Sequence, residues 1–315
     1  MKAVVLDIDD HYRLSELDEP TPGPGQVAIR VAYAGIQWGD TMVRNGHFAV
    51  PRPFVPGFEA SGHIVAVGEG VDARRVGEAV TVLTASGACA EVVLASAVLA
   101  FGIGTMPLRT AAGLGWGAPT AYDLINTAAH VRPGESVLIH GAAGSVGTLA
   151  AQFARLAGAG RITGVVGTAD RAAYAARFGY DRLLLRQEFP AGLGDEKPDV
   201  ILDPVGGPTR TAGLQRLAAH GRLVAYGNLA THEPVLADTD DLLVDGRSLL
   251  TYNSNLLSRT HPERLADSAR RALALVADGT VRVDITTEYA LEDLATAVRH
   301  LTDGTTHGKS VLRVA

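Results

Sequence analysis

Cysteine is almost missing. The 315 residues contain a single one, Cys89, which rules out an internal disulfide and a four-cysteine structural zinc lobe. No apolar run approaches the roughly 20 residues that a membrane-spanning helix needs. The opening stretch Met1-Lys2-Ala3-Val4-Val5-Leu6-Asp7 reaches an acid too early for the apolar region of a signal peptide. A cytoplasmic protein without a membrane partner is therefore expected. Lys and Arg number 28 against 34 Asp and Glu, a formal charge of −6, and no basic cluster stands out, so a nucleic-acid partner is not expected either. The ten histidines, His47, His63 and His140 among them, are scattered and show no ligand spacing such as His-Glu-x-x-His. Internal repeats and low-complexity linkers are also lacking. What is there is a hydrophobic content of 47% and a mean hydropathy of +0.13, enough to bury a large core in two domains.

The texture of the chain changes twice. Up to about residue 115, short β-type runs (27–33, 62–67, 79–83, 90–94) are broken by Gly and Pro, as in "TPGPGQ", which predicts a folded-over antiparallel sheet. From about 118 to 253, strands alternate with helices. Strands are expected at 136–140, 162–166, 182–185, 199–203, 222–226 and 248–252, with helices to residue 156, from Asp170 and from Pro208. Six strands in a βα rhythm imply a doubly wound parallel sheet. After about Arg259 come a long helix (262–278), a short strand near Ile285, a helix from Leu291 and a last strand at 309–314, read as returning to the first domain. The expected division is 1–117 and 256–315 for one domain and 118–255 for the other.

The most informative loop lies in "VLIHGAAGSVGTLAAQFARLAG". A buried apolar strand enters Gly141-Ala142-Ala143-Gly144-Ser145-Val146-Gly147 and then a helix with apolar Leu149, Phe153 and Leu156. Small residues there let the backbone approach a pyrophosphate, whose charge free N–H groups and the positive helix end stabilise. Tight strand-to-helix turns also use glycine for steric reasons alone; the place after the first strand of a βα series favours a dinucleotide site. An NAD site typically carries an acid at the end of the second strand to hold the ribose 2′-OH. Here that end reads Val165-Val166-Gly167-Thr168, without an acid; Asp170 suits a helix N-cap, with Thr168 as the alternative. Arg171 follows and can add a charge-assisted hydrogen bond to a 2′-phosphate. NADPH is the expected cofactor, the competing reading being that Arg171 is a solvated surface residue.

On these residues, together with "PGPGQVAIRVAYAGIQWGDTMVRNG", "PGFEASGHIVAVGEGV", "PTAYDLI", "DVILDPVGG", "GRLVAYGN" and "THGKSVLRV", the chain resembles the medium-chain dehydrogenase/reductase superfamily, in its zinc-free quinone oxidoreductase (zeta-crystallin-like) branch. The resemblance covers nearly the whole length and implies an α/β fold: a Rossmann doubly wound parallel sheet inserted in a GroES-like, mostly antiparallel β catalytic domain. It further implies NADPH use and, often, a homodimer, for which the apolar stretch 248–257 would supply an unpaired edge strand. Carried over residue by residue, Thr120 reaches the nicotinamide or its ribose. Gly141, Ala143, Gly144, Ser145, Val146 and Gly147 lie by the pyrophosphate, and Gly167, Thr168 and Arg171 by the adenosine phosphate. Relatives often place a Tyr after the third strand; here Arg186 stands there as a second cation. Asp203, Val205, Gly227 and Asn228 end later strands at the carboxyl edge, where ligands bind in open α/β sheets. Lys309 belongs either near the cofactor or to a solvated strand edge.

Zinc enzymes of this superfamily read Gly-His-Glu where this chain reads Gly57-Phe58-Glu59, and bring a Cys from the segment that here holds Gln37. Phenylalanine cannot bind a metal, and no metal is expected. Asp40 and Glu59 remain, more in keeping with hydrogen bonding of their loops than with catalysis. Without a Lewis acid a plain alcohol is a poor substrate, whereas a quinone or an α,β-unsaturated carbonyl accepts hydride directly. Gln37, Trp38, Asp40 and Phe58 are the candidate substrate-pocket residues. Trp38 offers an apolar wall and one N–H donor, suited to a planar substrate, unless it is ordinary core packing. Two other functions stay open: an enoyl-thioester reductase of fatty-acid or polyketide assembly, and an NADPH-binding protein without turnover.

Overall fold

Six strands lie side by side in one direction in the middle of the chain, in the order Arg182–Leu185, Arg161–Val166, Ser136–His140, Val200–Asp203, Arg222–Ala225 and Ser248–Thr251. In order of appearance this is 3-2-1-4-5-6, the doubly wound order whose direction of growth reverses between the first and fourth strands. The central strands read as continuous apolar runs because both faces are covered: Val137, Leu138, Ile139, Val200, Ile201 and Leu202 are all buried. The computed structural model describes residues 1–231 and 233–315. Within it the chain forms two compact units, Thr120–Thr260 and Met1–Pro119 with His261–Ala315.

In the first-named unit the helix Ser145–Leu156 follows the first strand. Its Leu149 and Phe153 are buried, but Leu156, expected on the same apolar face, is 52% exposed at the helix end. The helix after the second strand, Ala169–Ala175, is capped by Thr168, whose side chain accepts the Arg171 backbone N–H. Asp170, the expected cap, lies inside its first turn instead. The apolar stretch read as a strand over 248–257 is a strand only to Thr251; Ser254–Thr260 is a helix. Its start is fixed by Asn253, whose side-chain oxygen accepts the Leu256 N–H at 2.9 Å.

The other unit is built on a mostly antiparallel sheet in the order Ile285–Ala290, Lys309–Arg313, Gln26–Ile36, Glu59–Val67, Ala79–Leu83 and Ala100–Gly102, with Val92–Ser96 also pairing on Gln26–Ile36. Only the first pair is parallel. A separate hairpin joins Lys2–Leu6 to Tyr12–Glu16. Alternation along the strands buries Val27, Ile29, Val31, Ile64, Val80, Val82 and Leu312 in one core with Leu294 and Val298 of the helix Leu294–Thr302. Lys309–Arg313 has a neighbour on each side, so Lys309 does not stand on a sheet edge, and the edge-lysine alternative is corrected here.

Candidate functional site

Each unit holds one group of chemically loaded residues. In Thr120–Thr260 the loop after the first strand is shaped for close approach. Gly141 has φ +69°, in the left-handed region that a side chain disfavours, and Gly144 is the N-cap of the following helix with no side chain to cover its N–H groups. Gly147 sits in the first helical turn, where an added methyl would lie 2.8 Å from the Ala142 Cα. A larger residue would push that turn off the loop. Ala142 and Ala143 are buried, while Gly141 and Gly144 are exposed. The Tyr180 hydroxyl, not anticipated from the sequence, donates to the Gly147 carbonyl at 2.8 Å and lies 3.3 Å from that of Ala142. It pins the loop from beneath. A twelve-residue helix without a side-chain cap, entered through a loop with exposed Gly141 and Gly144, is an arrangement that can receive a phosphate.

At the end of the second strand two arginines come into play. The Arg186 guanidinium comes within 3.6 Å of the place a Gly167 side chain would occupy. Burial, and then the charge of Arg186, push the Arg171 pKa down. The two guanidinium groups repel each other, and an anion close to both would relieve the repulsion. No acid stands at Val166, Gly167 or Thr168. The donor set fits a 2′-phosphate. Thr120, 8% exposed, lies on the helix Gly117–Asp123. That helix runs into a π-helical turn, Leu124–Ala128, where the buried Asp123 accepts the Tyr252 hydroxyl at 2.7 Å and the Thr127 hydroxyl at 3.0 Å.

At the fourth strand the expectation needs correction in part. Asp203 is fully buried, and both of its oxygens are engaged within the protein: Oδ1 accepts the N–H groups of Val205 and Gly206, and Oδ2 that of Arg210 Nε. It shapes the crevice rather than reaching into it. Gly227 offers its carbonyl and Asn228 its side-chain oxygen to the same arginine. Val205 is half-buried and Asn228 exposed. His140, at the end of the first strand, is buried, and its Nε2 has no hydrogen-bond partner among the described residues. Burial first, and Arg186 with it, hold its pKa down at about 4 against the opposing pull of Asp203, so the ring is neutral near pH 7.

In Met1–Pro119 with His261–Ala315, the four pocket candidates sit together. Trp38 opens the short helix Trp38–Arg44, with Gln37 as N-cap, and both are half-buried. The Phe58 ring packs on Gly39, where an added methyl would lie 3.3 Å from its edge. Asp40, 1% exposed, ties the two segments together: its carboxylate accepts the backbone N–H of Gln37 at 3.0 Å and of Gly57 at 3.2 Å. Burial, and to a smaller extent the charge of Glu59, raise its pKa to about 7.

Glu59, fully buried, is held by the Trp116 backbone N–H at 2.5 Å and by the ammonium of Lys309. Gly35 clears the space, since a methyl there would meet Glu59 Oε1 at 2.5 Å and the Ala112 carbonyl at 2.6 Å. The Trp116 indole donates to the Phe58 carbonyl at 2.8 Å. Lys309, 4% exposed, is therefore the ion-pair partner of Glu59. Zinc does not fit here: Phe58 and Gln37 offer no ligand of the expected kind, an ammonium already faces the Glu59 carboxylate, and Asp40 is taken by backbone N–H groups. Among the described residues no group of three or more His, Cys, Asp or Glu could hold a metal ion. No helix among them is long and apolar enough to cross a membrane.

Residues 23–126 match the alcohol dehydrogenase GroES-like domain family and residues 186–312 the zinc-binding dehydrogenase family. The human synaptic vesicle membrane protein VAT-1 homolog is 31% identical over 93% of this chain and 80% of its own length. A mycocerosic acid synthase-like polyketide synthase of Mycolicibacterium smegmatis is 30% identical over 100% of this chain, which spans 15% of that protein. Among solved structures, Escherichia coli quinone oxidoreductase complexed with NADPH superposes with a TM-score of 0.88 at 27% identity, covering 100% of both chains.

Proposed function

The chain belongs to the medium-chain dehydrogenase/reductase superfamily, in its zinc-free quinone oxidoreductase branch, and on that footing we propose that it is an NADPH-dependent oxidoreductase that reduces a quinone or an α,β-unsaturated carbonyl without a metal. The reading rests above all on the acid-free end of the second strand, where Arg186 reaches within 3.6 Å of the place a Gly167 side chain would occupy and its charge acts on Arg171, in a unit that also carries the glycine loop 141–147. Thr120–Thr260 would bind the cofactor, and Met1–Pro119 with His261–Ala315 the acceptor.

The loop 141–147 would hold the pyrophosphate, Gly167, Thr168, Arg171 and Arg186 the adenosine phosphate, and Thr120 the nicotinamide side. When bound, NADPH supplies a hydride to an electron-poor carbon. Trp38 and Phe58 would give a flat apolar wall for the acceptor. The indole N–H of Trp38 can donate a hydrogen bond but does not transfer a proton readily. The proton that completes the reduction then comes from water or from a nearby donor. A second copy of the chain would pair on the edge strand Ser248–Thr251, which among the described residues has a neighbour on one side only.

A second reading, an enoyl-thioester reductase, draws support from the likeness to polyketide synthases. The deciding experiment is NADPH oxidation with 1,4-quinones, enones and enoyl thioesters at matched concentrations. Turnover of quinones or enones well above thioesters supports the proposal. Preference for thioesters moves the function to the second reading, and no turnover of any acceptor leaves an NADPH-binding protein.

A further inference from the structure

We propose that Arg210 is a positioning residue for the dinucleotide: it locks the two loops that follow the fourth and fifth parallel strands and cancels the charge of a carboxylate buried where the sheet reverses its order. The inference rests on the NADPH reading above and adds to it a residue that touches protein only.

The reversal lies between Ser136–His140 and Val200–Asp203, the place where open α/β sheets bind ligands. One wall is the glycine loop 141–147. The other is the turn after Asp203, where Gly206 and Gly207 both have positive φ, +79° and +53°. This turn interlocks with the end of the fifth strand: a methyl on Gly227 would lie 2.9 Å from the Pro204 carbonyl, and one on Gly206 would lie 3.0 Å from Asn228 Oδ1. Two consecutive left-handed glycines do not hold a shape unaided.

Arg210 supplies the constraint. Its Nε donates to Asp203 Oδ2 at 2.6 Å, Nη1 to Asn228 Oδ1 at 3.0 Å and Nη2 to the Gly227 carbonyl at 2.6 Å. One planar group thus reaches, in three directions, the loop after the fifth strand and the carboxylate that itself holds the Val205 and Gly206 N–H groups of the loop after the fourth, which a lysine cannot do. It is also the only ion-pair partner of Asp203 among the described residues. Neighbouring His140 is neutral near pH 7 and offers no compensating charge. An unpaired Asp203 carboxylate at this crevice would repel the anionic pyrophosphate.

Because Arg210 is turned to protein groups, its loss should weaken NADPH and NADH binding alike. The test is cofactor titration, by nucleotide fluorescence, of the unaltered protein, Arg210→Ala, Arg210→Lys and the double variant Asp203→Asn with Arg210→Ala. Arg210→Ala is expected to raise Kd about tenfold for both nucleotides, with kcat at saturating cofactor falling less than about threefold. Arg210→Lys should fall between, and the added Asp203→Asn should recover part of the loss by removing the unpaired charge. Should Arg210→Ala not fold, Arg210→Lys decides, with a rise of about threefold expected. Variants that bind both nucleotides as the unaltered protein does, or a loss confined to NADPH, would overturn the proposal. If the unaltered protein itself fails to bind NADPH, the cofactor reading falls and this inference with it.

Discussion

Lys309 and Glu59, 250 residues apart in sequence, form an ion pair in the interior of the GroES-like unit, with side chains 4% and 0% exposed. Taking one partner away strands a buried charge, which costs about 3–5 kcal/mol, whereas replacing both by neutral groups costs far less. Lys309→Met should therefore lower the melting temperature strongly, and Glu59→Gln added to it should restore most of the loss. Two single effects that simply add in the double variant would show that the pair is not coupled. Calorimetry of the three variants settles the matter.

Arg171 is expected to distinguish the two nicotinamide cofactors. A charge-assisted hydrogen bond contributes about 1.5–3 kcal/mol, so Arg171→Ala should weaken NADPH binding about tenfold or more and leave NADH nearly unchanged. Titration of both nucleotides checks this. Equal loss for both would move Arg171 away from the 2′-phosphate.

Asp40 makes stability depend on pH. Its folded pKa of about 7 stands above the ordinary 3.8, so the folded state holds the proton more tightly than the unfolded chain. The stability this contributes is complete below about pH 3.8 and is lost as pH rises through about 7, at up to about 1.4 kcal/mol per pH unit. The neighbours that set it are Glu59, which raises it, and Lys309 with the Gln37 and Gly57 N–H groups, which lower it. Denaturant melts between pH 4 and 8 should show a steeper fall for the unaltered protein than for Asp40→Asn. Parallel curves would mean that Asp40 does not titrate in that window.

Trp38 and Phe58 are expected to select flat acceptors. Aromatic stacking contributes about 0.5–1.5 kcal/mol beyond area burial, so Trp38→Ala should raise KM for an aromatic quinone several-fold more than for a small alkenal. Cofactor affinity should not move. If both acceptors suffer equally while the protein melts several degrees lower, Trp38 serves packing alone.

Exhaustive chelation should leave turnover intact, and metal analysis of the purified protein should find no stoichiometric zinc, because Phe58 and Gln37 stand where ligands are needed. One tightly held zinc per chain would refute this.

The parallel sheet was legible because strands covered on both faces become unbroken apolar runs, as in Val137-Leu138-Ile139. The glycine loop 141–147 was legible because its shape demands glycine at particular places. Side-chain partnerships were less so. Thr168 and Asp170 are both able caps, and only the geometry of the turn selects Thr168. For Lys309 a solvated strand edge stays open in the sequence because nothing local tells which strands flank it; its neighbour Gln26–Ile36 lies at the far end of the sequence. Arg210 resembles an ordinary helix-surface arginine, and one of its targets, the Gly227 carbonyl, has no side chain to announce it. The helix at Ser254 did carry a signal, the Asn-Ser pair at its start, which the apolar run around it masked.

The strand Lys309–Arg313 lies inside its sheet, between Ile285–Ala290 and Gln26–Ile36, and this orders events during synthesis. Domains generally fold as units as they leave the ribosome, the earlier ones first. Here the earlier unit lacks an interior strand until residue 313 has emerged, while every strand of Thr120–Thr260 is already available. The middle of the chain therefore matures before its beginning. Until then Tyr33–Ile36, at the end of the strand Gln26–Ile36, wait for their partner, and nascent chains arrested shortly after residue 260 should display a protease-resistant parallel-sheet unit behind a still cleavable N-terminal portion.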